Sequence, residues 1–284
     1  MLRSMFAGVS GLRSHQNMMD VTSNNLSNVN TVGFKASRTT FEDTLYQTIR
    51  GGSAGVAAAD GGSNPMQFGL GVAHATVDGV FNQGAIMVTN RSTDIAIEGE
   101  GFFAVQDATG QQLFTRAGNF GWDSAGNFVT PTGNLVLGWN GSAPPNATPP
   151  ATGGAAAPIN VAPADLVGIK DIAVGSDGVI SGRDATGAVV YIGTLALATF
   201  QNPNGLNRVG QSTFAATAAS GAADMGTAQS GARGALKGGS LEMSNVDVAQ
   251  EFTQLIMAQR GFQANARTIT TSDEILQELV NIKR

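Results

Sequence analysis

In the stretch FTQLIMAQRGFQANARTITTSDEILQELV, from Phe252 to Val280, the apolar residues recur every three or four positions. This spacing predicts one helix of about 35 residues, roughly 50 Å long, with a single apolar stripe. Gln259 and Asp273 fall on the stripe, where they either fix the register of a packed interface or interrupt it on the solvent side. The β-branched run in TITTSDE predicts a weak point at which the helix bends or splits. The stripe consists of Phe252, Leu255, Gln259, Phe262, Ala266, Ile269, Asp273, Leu276 and Val280.

A second helix is predicted at the other end of the chain. Its stripe also alternates spacings of three and four, and it runs out in NNLSNVNTVGF, whose Asn and Gly residues favour caps and left-handed turns. Gly8 and Gly11 lie inside this helix, where each costs about 1 kcal/mol relative to alanine. They therefore either weaken the helix or mark a face that another backbone approaches closely. The stripe consists of Leu2, Met5, Val9, Leu12, Gln16, Met19, Ser23 and Leu26.

The middle of the chain, from roughly residue 70 to residue 200, changes to a period of two. In DIAIEGEGFFAV, for example, Ile95 and Ile97 alternate with other residues, as they do along a strand. Short segments between the alternating runs carry Asp first and Gly fourth, which is the chemistry of a type I turn and predicts hairpins. These segments are DATG at 107–110, DSAG at 123–126 and DATG at 184–187.

Together these patterns predict an α+β fold in which long N- and C-terminal helices pack as a coiled-coil-like inner domain, with an inserted all-β outer domain. In the segment between the first helix and the β domain, TTFEDTLYQTI is predicted as a short helix or an extended arm, and RGGSAGVAAADGGSN as a flexible linker. Ser244, with Asp247 three residues on, predicts the start of the last helix. The predicted boundaries are 1–33 for the first helix, 34–75 for an extended connector, 76–240 for the outer domain with an exposed Pro/Ala-rich loop at 141–158, and 241–284 for the last helix.

Composition excludes several functional classes. The 284 residues are 13% charged, with a net charge of −5 and a sequence pI of about 5.0, so no basic stripe for nucleic acid is expected. No apolar run approaches the roughly 20 residues that a membrane span needs. Arg3, Arg13 and His15 interrupt the first apolar residues, so no cleaved secretory signal is predicted. Cysteine is absent, which excludes disulfide cross-links.

No catalytic, cofactor-binding or metal-binding residue is predicted, and the chain is predicted not to be an enzyme. His15 and His74 are far apart in sequence and are interpreted as core or exposed side chains, with metal ligation as the alternative. Asp177 and Asp184 stand near glycines without the ladder of a calcium loop, so they are interpreted as turn residues. The rival classes are a secreted β-rich binding module, which would need no amphipathic helices at its ends, and an esterase-like enzyme, whose nucleophile motif is missing.

Distinctive motifs stand at both ends and in the centre of the chain. They are SGLRSHQNMMDVTSNNLSNVNTVGFK, then TDIAIEGEGFFAV with FTRAGNF and FVTPTG, and finally GGSLEMSNVDVAQEFTQLIMAQRGFQANARTITTSDEILQELV. In this order they resemble the signatures of the bacterial flagellar rod and hook family, and they cover about half of the chain. The residues taken as family-motif positions are Asn24, Asn25, Asn28, Gly33, Phe34, Ser244, Asn245, Gln259 and Arg260.

The resemblance implies a structural, axial protein without cofactors. It implies export by the flagellar type III apparatus without signal cleavage, and assembly outside the cell into a helical homopolymer. Within the family, the opening MLRSM and the ending SDEILQELVNIKR resemble hook subunits of the short form. A hook subunit is expected in a bendable tube that joins rod to filament and transmits torque, with the distal rod protein, the hook cap protein and the hook–filament junction protein as neighbours. The distal rod protein shares the motifs and is the alternative.

The terminal stripes suggest how such a subunit assembles. One chain cannot fully cover a stripe at both of its ends, whereas stacked subunits bury it, and each buried Phe or Leu contributes roughly 1.5–3 kcal/mol. Short polar turns around the β domain predict sliding contacts and a curved tube, because fixed contacts favour Trp, Tyr and Arg anchors. A straight assembly interlocked through GGSAGVAAADGG would instead favour the rod. The predicted subunit-packing residues are Leu2, Met5, Val9, Leu12, Met19, Leu26, Phe252, Leu255, Phe262, Ala266, Ile269, Leu276 and Val280.

Overall fold

The computed structural model describes residues 2–54, 61–140, 154–163, 168–184 and 187–282. Two units form the chain. Both chain ends contribute to the first unit, and the second unit is inserted between them in sequence. This arrangement confirms the predicted α+β fold with an inserted β domain. The first unit consists of Met1–Ser27, Ser37–Asp78 and Asp247–Arg284, and the second of Asn28–Ala36 and Gly79–Val246.

Helix α1 spans Leu2–Ser27. It ends where the Asn-rich segment begins, several residues before the predicted boundary at residue 33. Immediately after it, the Thr31 amide donates to the Asn28 carbonyl at 3.1 Å, and Gly33 has a φ of 67°. This left-handed conformation costs glycine little, which is why the chain turns here rather than continuing as a helix.

Helix α2 spans Val248–Ile282. The carboxylate of Asp247 accepts the amide protons of Ala249 and Gln250 at 2.9 and 3.3 Å, as an N-cap does. The predicted start at Ser244 is therefore wrong by three residues, because Asp247 is the residue that satisfies the first unpaired amides of the helix.

Helix α2 runs unbroken through TITTSDE, where the sequence predicts a bend or a split. The Thr271 hydroxyl donates to the Arg267 carbonyl at 3.0 Å, and the Ser272 hydroxyl donates to the Thr268 carbonyl at 2.7 Å. These bonds satisfy the hydroxyls along the helix itself, so they do not draw the backbone into another conformation.

Two strand pairs complete the first unit. Strand β1 (Ser37–Asp43) pairs with β4 (Val72–Gly79), and β2 (Tyr46–Arg50) pairs antiparallel with β3 (Met66–Gly69). TTFEDTLYQTI therefore forms an extended arm and not a helix. Residues 55–60 of the predicted linker lie outside the described residues.

The second unit is made of short strands. In chain order they are β5 (Ile86–Val88), β6 (Ile95–Glu98), β7 (Phe102–Gln106), β8 (Gln112–Thr115), β9 (Gly121–Trp122), β10 (Phe128–Val129), β11 (Leu135–Asn140), β12 (Ala157–Pro158), β13 (Lys170–Val174), β14 (Val179–Arg183), β15 (Val189–Leu195), β16 (Leu197–Thr199), β17 (Asn207–Gly210), β18 (Thr213–Ala215), β19 (Asp224–Gly226), β20 (Ala235–Gly238) and β21 (Ser240–Glu242).

Most of these strands join one sheet, whose main order is β13-β14-β15-β11-β7-β8-β18-β17. In addition, β6 pairs antiparallel with β20, and β5 pairs antiparallel with β21.

The three predicted hairpins are confirmed. DATG at 107–110 joins β7 to β8, DSAG joins β9 to β10, and the second DATG lies between β14 and β15. In each turn the glycine amide donates to the aspartate carbonyl, at 2.9 Å for Gly110, 3.1 Å for Gly126 and 2.8 Å for Gly187. All three glycines have φ near 80°, a conformation that favours glycine at the fourth position. Most of the predicted Pro/Ala-rich loop, residues 141–153, lies outside the described residues.

Strand β7 is buried on both of its faces. Phe103 belongs to one apolar cluster, where its ring meets that of Phe120 edge-on at a centroid distance of 5.0 Å. Phe102 belongs to a second cluster, where it meets Phe214 in the same way at 5.7 Å. The core of the second unit therefore has two layers, one on each side of the central sheet.

Candidate assembly surfaces

The two helices of the first unit pair antiparallel in a constant register. In each facing pair the two residue numbers add up to 276, so the register does not slip along the contact. Such a regular contact makes the helix pair one structural element. The facing pairs are Gly8 with Thr268, Gly11 with Asn265, His15 with Gly261, and Asn25 with Glu251.

Glycines determine how closely α1 and α2 approach. A Cβ atom on Gly8 would lie 3.0 Å from the Thr268 hydroxyl, and one on Gly11 would lie 2.6 Å from the Asn265 amide nitrogen. A Cβ atom on Gly261 would lie 2.5 Å from the ring of His15. Of the two interpretations of the α1 glycines, the structure supports the closely approached face.

A buried polar contact links the helices near the other end of the pair. Asn25 is 2% exposed, and its Nδ2 donates to Glu251 Oε1 at 3.1 Å and to the Ser37 carbonyl at 2.7 Å. Burial raises the pKa of Glu251; the charge of Asp247 acts in the same direction and the bond from Asn25 opposes it. A buried polar contact inside a helix pair disfavours other registers, because a slip would leave its groups unpaired.

The buried face of each helix is centred on small and polar residues, not on the predicted stripes. A stripe predicted from apolar periodicity is defined mainly by large side chains. The observed contact instead forms where glycine, alanine and serine allow the two backbones to approach each other. The predicted stripes therefore flank the contact. The buried residues are Gly8, Gly11, Ser14, Thr22 and Asn25 on α1, and Glu251, Ala258 and Ser272 on α2.

The predicted packing residues whose side chains the structure describes divide into two groups, and the side chain of Leu2 lies outside the described residues. Their role between subunits remains a prediction. Gln259 and Asp273 are exposed, and Asp273 accepts a hydrogen bond from the Gln277 side chain at 3.0 Å. The half-buried members are Met5, Leu12, Met19, Leu26, Leu255, Phe262, Ala266, Ile269 and Leu276, and the exposed members are Val9, Phe252 and Val280.

Other large apolar side chains of the helices are also exposed to solvent. They follow helical spacing on α2, so they form rows and not isolated contacts. Contiguous exposed apolar surface of this kind marks an interaction site. These residues include Phe6 on α1 and Ile256, Met257, Ile275, Leu279 and Ile282 on α2.

The β2–β3 hairpin forms a second candidate surface in the first unit. Every residue of both strands is exposed, including Tyr46, Ile49, Met66 and Phe68. A two-stranded hairpin is at best marginally stable alone in water, and unpaired strand edges readily accept a partner. The hairpin is therefore suited to contact another molecule.

In the second unit, three of the sequence motifs meet at a buried charged cluster. Glu242 Oε1 accepts hydrogen bonds from Lys35 Nζ at 2.5 Å and from the Gly84 amide at 2.9 Å, while Oε2 accepts one from Arg116 Nη1 at 3.0 Å. Lys35, Arg116 and Glu242 are exposed to 4% or less. Burial lowers the pKa of both Lys35 and Arg116, and the charge of Glu242 opposes this effect. The cluster joins NTVGFK, FTRAGNF and GGSLEMSN and has a structural role.

Sequence reasoning did not assign any role to these three charged residues. Each of these residues stands in a distinctive motif among apolar and turn-forming neighbours. A charge that is buried in such surroundings needs a partner, and this could have indicated a buried ion pair. Nothing in the sequence pairs them, because Lys35 and Glu242 are 207 residues apart.

Several family-motif residues support the same junction. The Gly33 amide donates to the Glu242 carbonyl at 2.8 Å, and a Cβ atom on Gly33 would lie 2.4 Å from the Ala117 amide nitrogen. Asn245 Oδ1 accepts the Ala36 amide proton at 2.8 Å, and its Nδ2 donates to the Val80 carbonyl at the same distance. These residues hold backbone segments together.

The remaining motif residues have other surroundings. The Arg208 guanidinium lies over the ring of Phe34, 5.6 Å from its centroid. Ser244 Oγ accepts the Val246 amide proton at 3.3 Å, and Asn28 Oδ1 accepts the Thr31 hydroxyl at 3.0 Å. The exposed motif residues are Asn24, Gln259 and Arg260.

The described residues contain no cluster of three or more His, Cys, Asp or Glu that could hold a metal ion. Both histidines lie beside Phe41, at ring-centroid distances of 6.1 Å for His15 and 5.8 Å for His74. Asp177 Oδ1 accepts the Val179 amide proton at 3.2 Å, as expected of a turn residue. Within the described ranges, the helices are all too short or too polar to cross a membrane.

Family models match the same three parts of the chain. A model described as "Flagella basal body rod protein" matches residues 5–35, "Flagellar hook protein FlgE/F/G D1 domain" matches 96–182, and "Flagellar basal body rod FlgEFG protein C-terminal" matches 237–282. The chain is also 45% identical to the flagellar basal-body rod protein FlgG of Bacillus subtilis (strain 168), over 285 aligned positions that span both chains completely. The chain belongs to the flagellar rod and hook family.

Relatives in the flagellar rod and hook family include both rod and hook proteins. The chain is 36% identical to the flagellar basal-body rod protein FlgG of Borreliella burgdorferi over 287 positions. It is 30% identical to the flagellar hook protein FlgE of the same organism over 444 positions. Both alignments cover all of each chain.

Membership of the flagellar rod and hook family confirms several predictions. The protein is an axial component of the flagellum, it serves motility as a structural protein, and it is not an enzyme. Self-assembly with other flagellar components follows from membership of this axial family. The rival classes, a secreted binding module and an esterase-like enzyme, are therefore wrong.

Proposed function

We propose that the protein is the distal rod subunit of the flagellar basal body, which assembles with further copies of itself into a helical tube. The observation that carries this proposal is the alignment with rod proteins, which spans 285 and 287 positions and so adds almost no positions to the 284 residues of this chain. The alignment with the hook relative spans 444 positions, so more than a third of its positions have no counterpart in this chain.

The alternative from the sequence is thus better supported than the hook assignment. The hook assignment relied on MLRSM and SDEILQELVNIKR, which lie at the two ends of the chain. Most of the C-terminal motif falls within a model shared by FlgE, FlgF and FlgG, so it does not separate hook from rod. Alignment length and full-length identity differ between the rod and hook relatives, and both support the rod.

The helix pair of the first unit supplies a surface for assembly. Phe252 and Ile256 are about half exposed and lie one turn apart on α2. Complete burial of such a side chain contributes roughly 1.5–3 kcal/mol, so covering the exposed half contributes about 1 kcal/mol for each residue. Several such contacts with each neighbour are enough to make assembly favourable, and an open heterologous contact extends into a filament.

The β2–β3 hairpin supports a stiff tube. Its exposed Tyr46, Ile49 and Phe68 are large apolar or aromatic side chains of the kind that make fixed contacts. The sequence-based expectation of sliding polar contacts took account of the turns of the outer domain and not of this arm. A straight tube, in which the arm interlocks with neighbouring subunits, is therefore proposed in place of a curved one.

The proposal also changes the expected neighbours. The hook cap and hook–filament junction proteins were expected beside a hook subunit and are not expected beside a rod subunit. Export by the flagellar type III apparatus without a cleaved signal remains part of the proposal, as does a location outside the cytoplasmic membrane. Neighbours along the axis are other rod subunits and the hook protein.

Electron microscopy of polymers formed by the purified protein tests the proposal. Straight tubes are expected, and curved tubes would favour the hook. The double variant Phe252→Asp/Ile256→Asp should not polymerise, because a carboxylate would be buried without a partner at the subunit contact. Ala264→Asp is the matched control, since this residue is exposed on the same helix but lies about 100° around the helix axis from the pair Phe252 and Ile256. Normal polymerisation of the double variant would show that α2 is not an intersubunit surface.

A further inference from the structure

The C-terminal end of α2 extends beyond α1. Facing residue numbers add up to 276, so the register places Glu274 opposite Leu2, the first residue of α1. The last eight residues of α2, from Ile275 to Ile282, therefore have no counterpart on α1. At 1.5 Å per residue this overhang is about 12 Å long.

The overhang has an apolar face that the rest of its own unit leaves exposed. Ile275, Leu279 and Ile282 are spaced by four and three residues and are 50%, 49% and 80% exposed. Glu274 and Glu278 are also exposed and stand one turn apart beside this face. From Asp273 to Ile282 the helix contains three acidic residues and no lysine or arginine, and the sequence continues with Lys283 and Arg284.

A groove in the first unit has the complementary character. It lies between α1 and β4, has a volume of about 470 Å³, and is lined in part by Phe6, Val9 and Arg13 of α1 and Val72 of β4. Phe6 is 70% exposed and Arg13 is also exposed. From Leu2 to Asn17, α1 carries Arg3 and Arg13 and no acidic residue.

The floor of the groove is fixed by direct contacts. Ser10 Oγ donates to the Ala7 carbonyl at 2.8 Å and accepts the Val72 amide proton at 3.3 Å. Gly71 allows this approach, because a Cβ atom there would lie 2.4 Å from the Ser10 hydroxyl. These contacts hold α1 against β4, so the groove is present in the single subunit and needs less ordering when a partner binds.

We infer that the overhang of α2 inserts into the α1/β4 groove of a second copy of the chain. Ile275, Leu279 and Ile282 would cover Phe6 and Val9, and the glutamates would approach Arg13. This inference rests on the proposed self-assembly and adds the surfaces that mediate it. Opposite charge at the two surfaces favours this pairing over contact between two grooves or between two overhangs.

The contact has to form between copies and not within one chain. The register places residue 267 opposite Val9, and Leu279 lies twelve residues farther along the same unbroken helix. That separation is about 18 Å, too far for Leu279 to contact Val9 of its own chain. Because overhang and groove are different surfaces, each added subunit leaves one of each exposed, and the assembly continues.

Cross-linking tests the contact directly, because the natural chain has no cysteine. Copies with Val9→Cys are mixed with differently tagged copies with Leu279→Cys, allowed to polymerise, and treated with a short bismaleimide. A covalent heterodimer is expected. Met257→Cys replaces Leu279→Cys in the matched control, since Met257 is similarly exposed, at 55%, but lies elsewhere on α2, and no heterodimer is expected.

A charge swap provides a test that does not depend on cysteine geometry. Arg13→Glu and Glu278→Arg should each raise the protein concentration needed for polymerisation by about tenfold, because each creates a like-charge contact. The double variant should return to within about threefold of the wild-type value.

The outcomes separate the inference from the proposed function. Polymers that form without the Val9–Leu279 cross-link, or that cross-link equally through Met257, would overturn the inference and leave the rod assignment intact. Failure of the double variant to recover would also count against the inference. A wild-type protein that forms no polymer at any concentration would overturn the proposed self-assembly, and the inference with it.

Discussion

Replacing Glu242 with glutamine tests the buried charged cluster of the second unit. The substitution keeps the shape of the side chain but removes the only carboxylate that contacts Lys35 and Arg116 in the described structure. Lys35 and Arg116 contact different oxygens of the carboxylate, and the amide replaces one of these oxygens with an NH2 group, so in this geometry it cannot accept from both. Breaking a buried ion pair by removing one partner costs about 3–5 kcal/mol.

Deprotonation of Lys35 limits how much the loss of its ion pair can reduce stability. Without Glu242, Lys35 can lose its proton, and burial already lowers its pKa from the ordinary value of 10.5. Deprotonating an ordinary lysine at pH 7 costs about 5 kcal/mol, since each pKa unit corresponds to about 1.4 kcal/mol. Glu242→Gln should therefore reduce the free energy of unfolding of the second unit by about 3–5 kcal/mol at pH 7.

Urea unfolding of the monomer, followed by tryptophan fluorescence, measures this loss. Both tryptophans, Trp122 and Trp139, lie in the second unit, so the signal reports on that unit. With a denaturant slope of about 2–3 kcal/mol/M, the midpoint should fall by roughly 1–2 M. Glu98→Gln is the control, because Glu98 is exposed and the same chemical change there should alter stability by about 0.5 kcal/mol or less.

A loss below about 1 kcal/mol for Glu242→Gln would show that Glu242 is not needed to stabilise Lys35 and Arg116, because water or another group would then satisfy the two cations. A second variant makes the test stricter. Lys35→Met added to Glu242→Gln removes one of the unpaired charges and should recover part of the stability. Additive losses in the double variant would show that the two residues are not energetically coupled.

Three other predictions concern single residues. Gly33→Ala should lower the free energy of unfolding in urea by about 3 kcal/mol or more, because Gly33 has a φ of 67° and a backbone atom lies 2.4 Å from the position of the new Cβ. Gly133→Ala is the control: Gly133 has a φ of 89° but no neighbour within 4 Å of the new Cβ, so the loss should be about 1 kcal/mol. Equal losses for the two variants would argue against the close approach at Gly33. Asp247→Ala should cost about 1 kcal/mol and speed amide hydrogen exchange in the first turn of α2, and unchanged exchange would contradict its role as the cap. Because the pKa of Glu251 is raised, its contribution to stability is present below its unfolded value of 4.5 and is lost as pH rises through the raised value. Glu251→Gln can still accept the hydrogen bond from Asn25. Hydrogen exchange of the helix pair should therefore depend less on pH in this variant, and the pair should be more stable near neutral pH. If the variant keeps the wild-type slope, the pH dependence belongs to another group.

Features that depend on neighbours in sequence were predictable. The type I turn of DSAG requires Asp and Gly three residues apart, and Asp123 and Gly126 form it with a 3.1 Å bond. The extents of the two long helices were also close, because each is defined by a repeating pattern over many residues. The N-cap was misplaced by three residues, since both Ser244 and Asp247 have the chemistry of a cap and only the folded backbone shows which of them serves.

Sequence patterns alone were enough to predict two amphipathic helices on either side of a β-rich middle, and the sequence motifs were enough to indicate the flagellar axial family. The helix faces that meet and the pairing of the buried charges became visible only in the folded chain. Periodicity ranks faces by large apolar side chains, whereas the backbones of α1 and α2 come closest at Gly8, Gly11 and Gly261, which add almost nothing to that signal. The contact of Glu242 with Lys35 and Arg116 joins residues 207 and 126 positions apart. No local pattern encodes such a pairing, because its energy exists only when folding removes water from all three groups together.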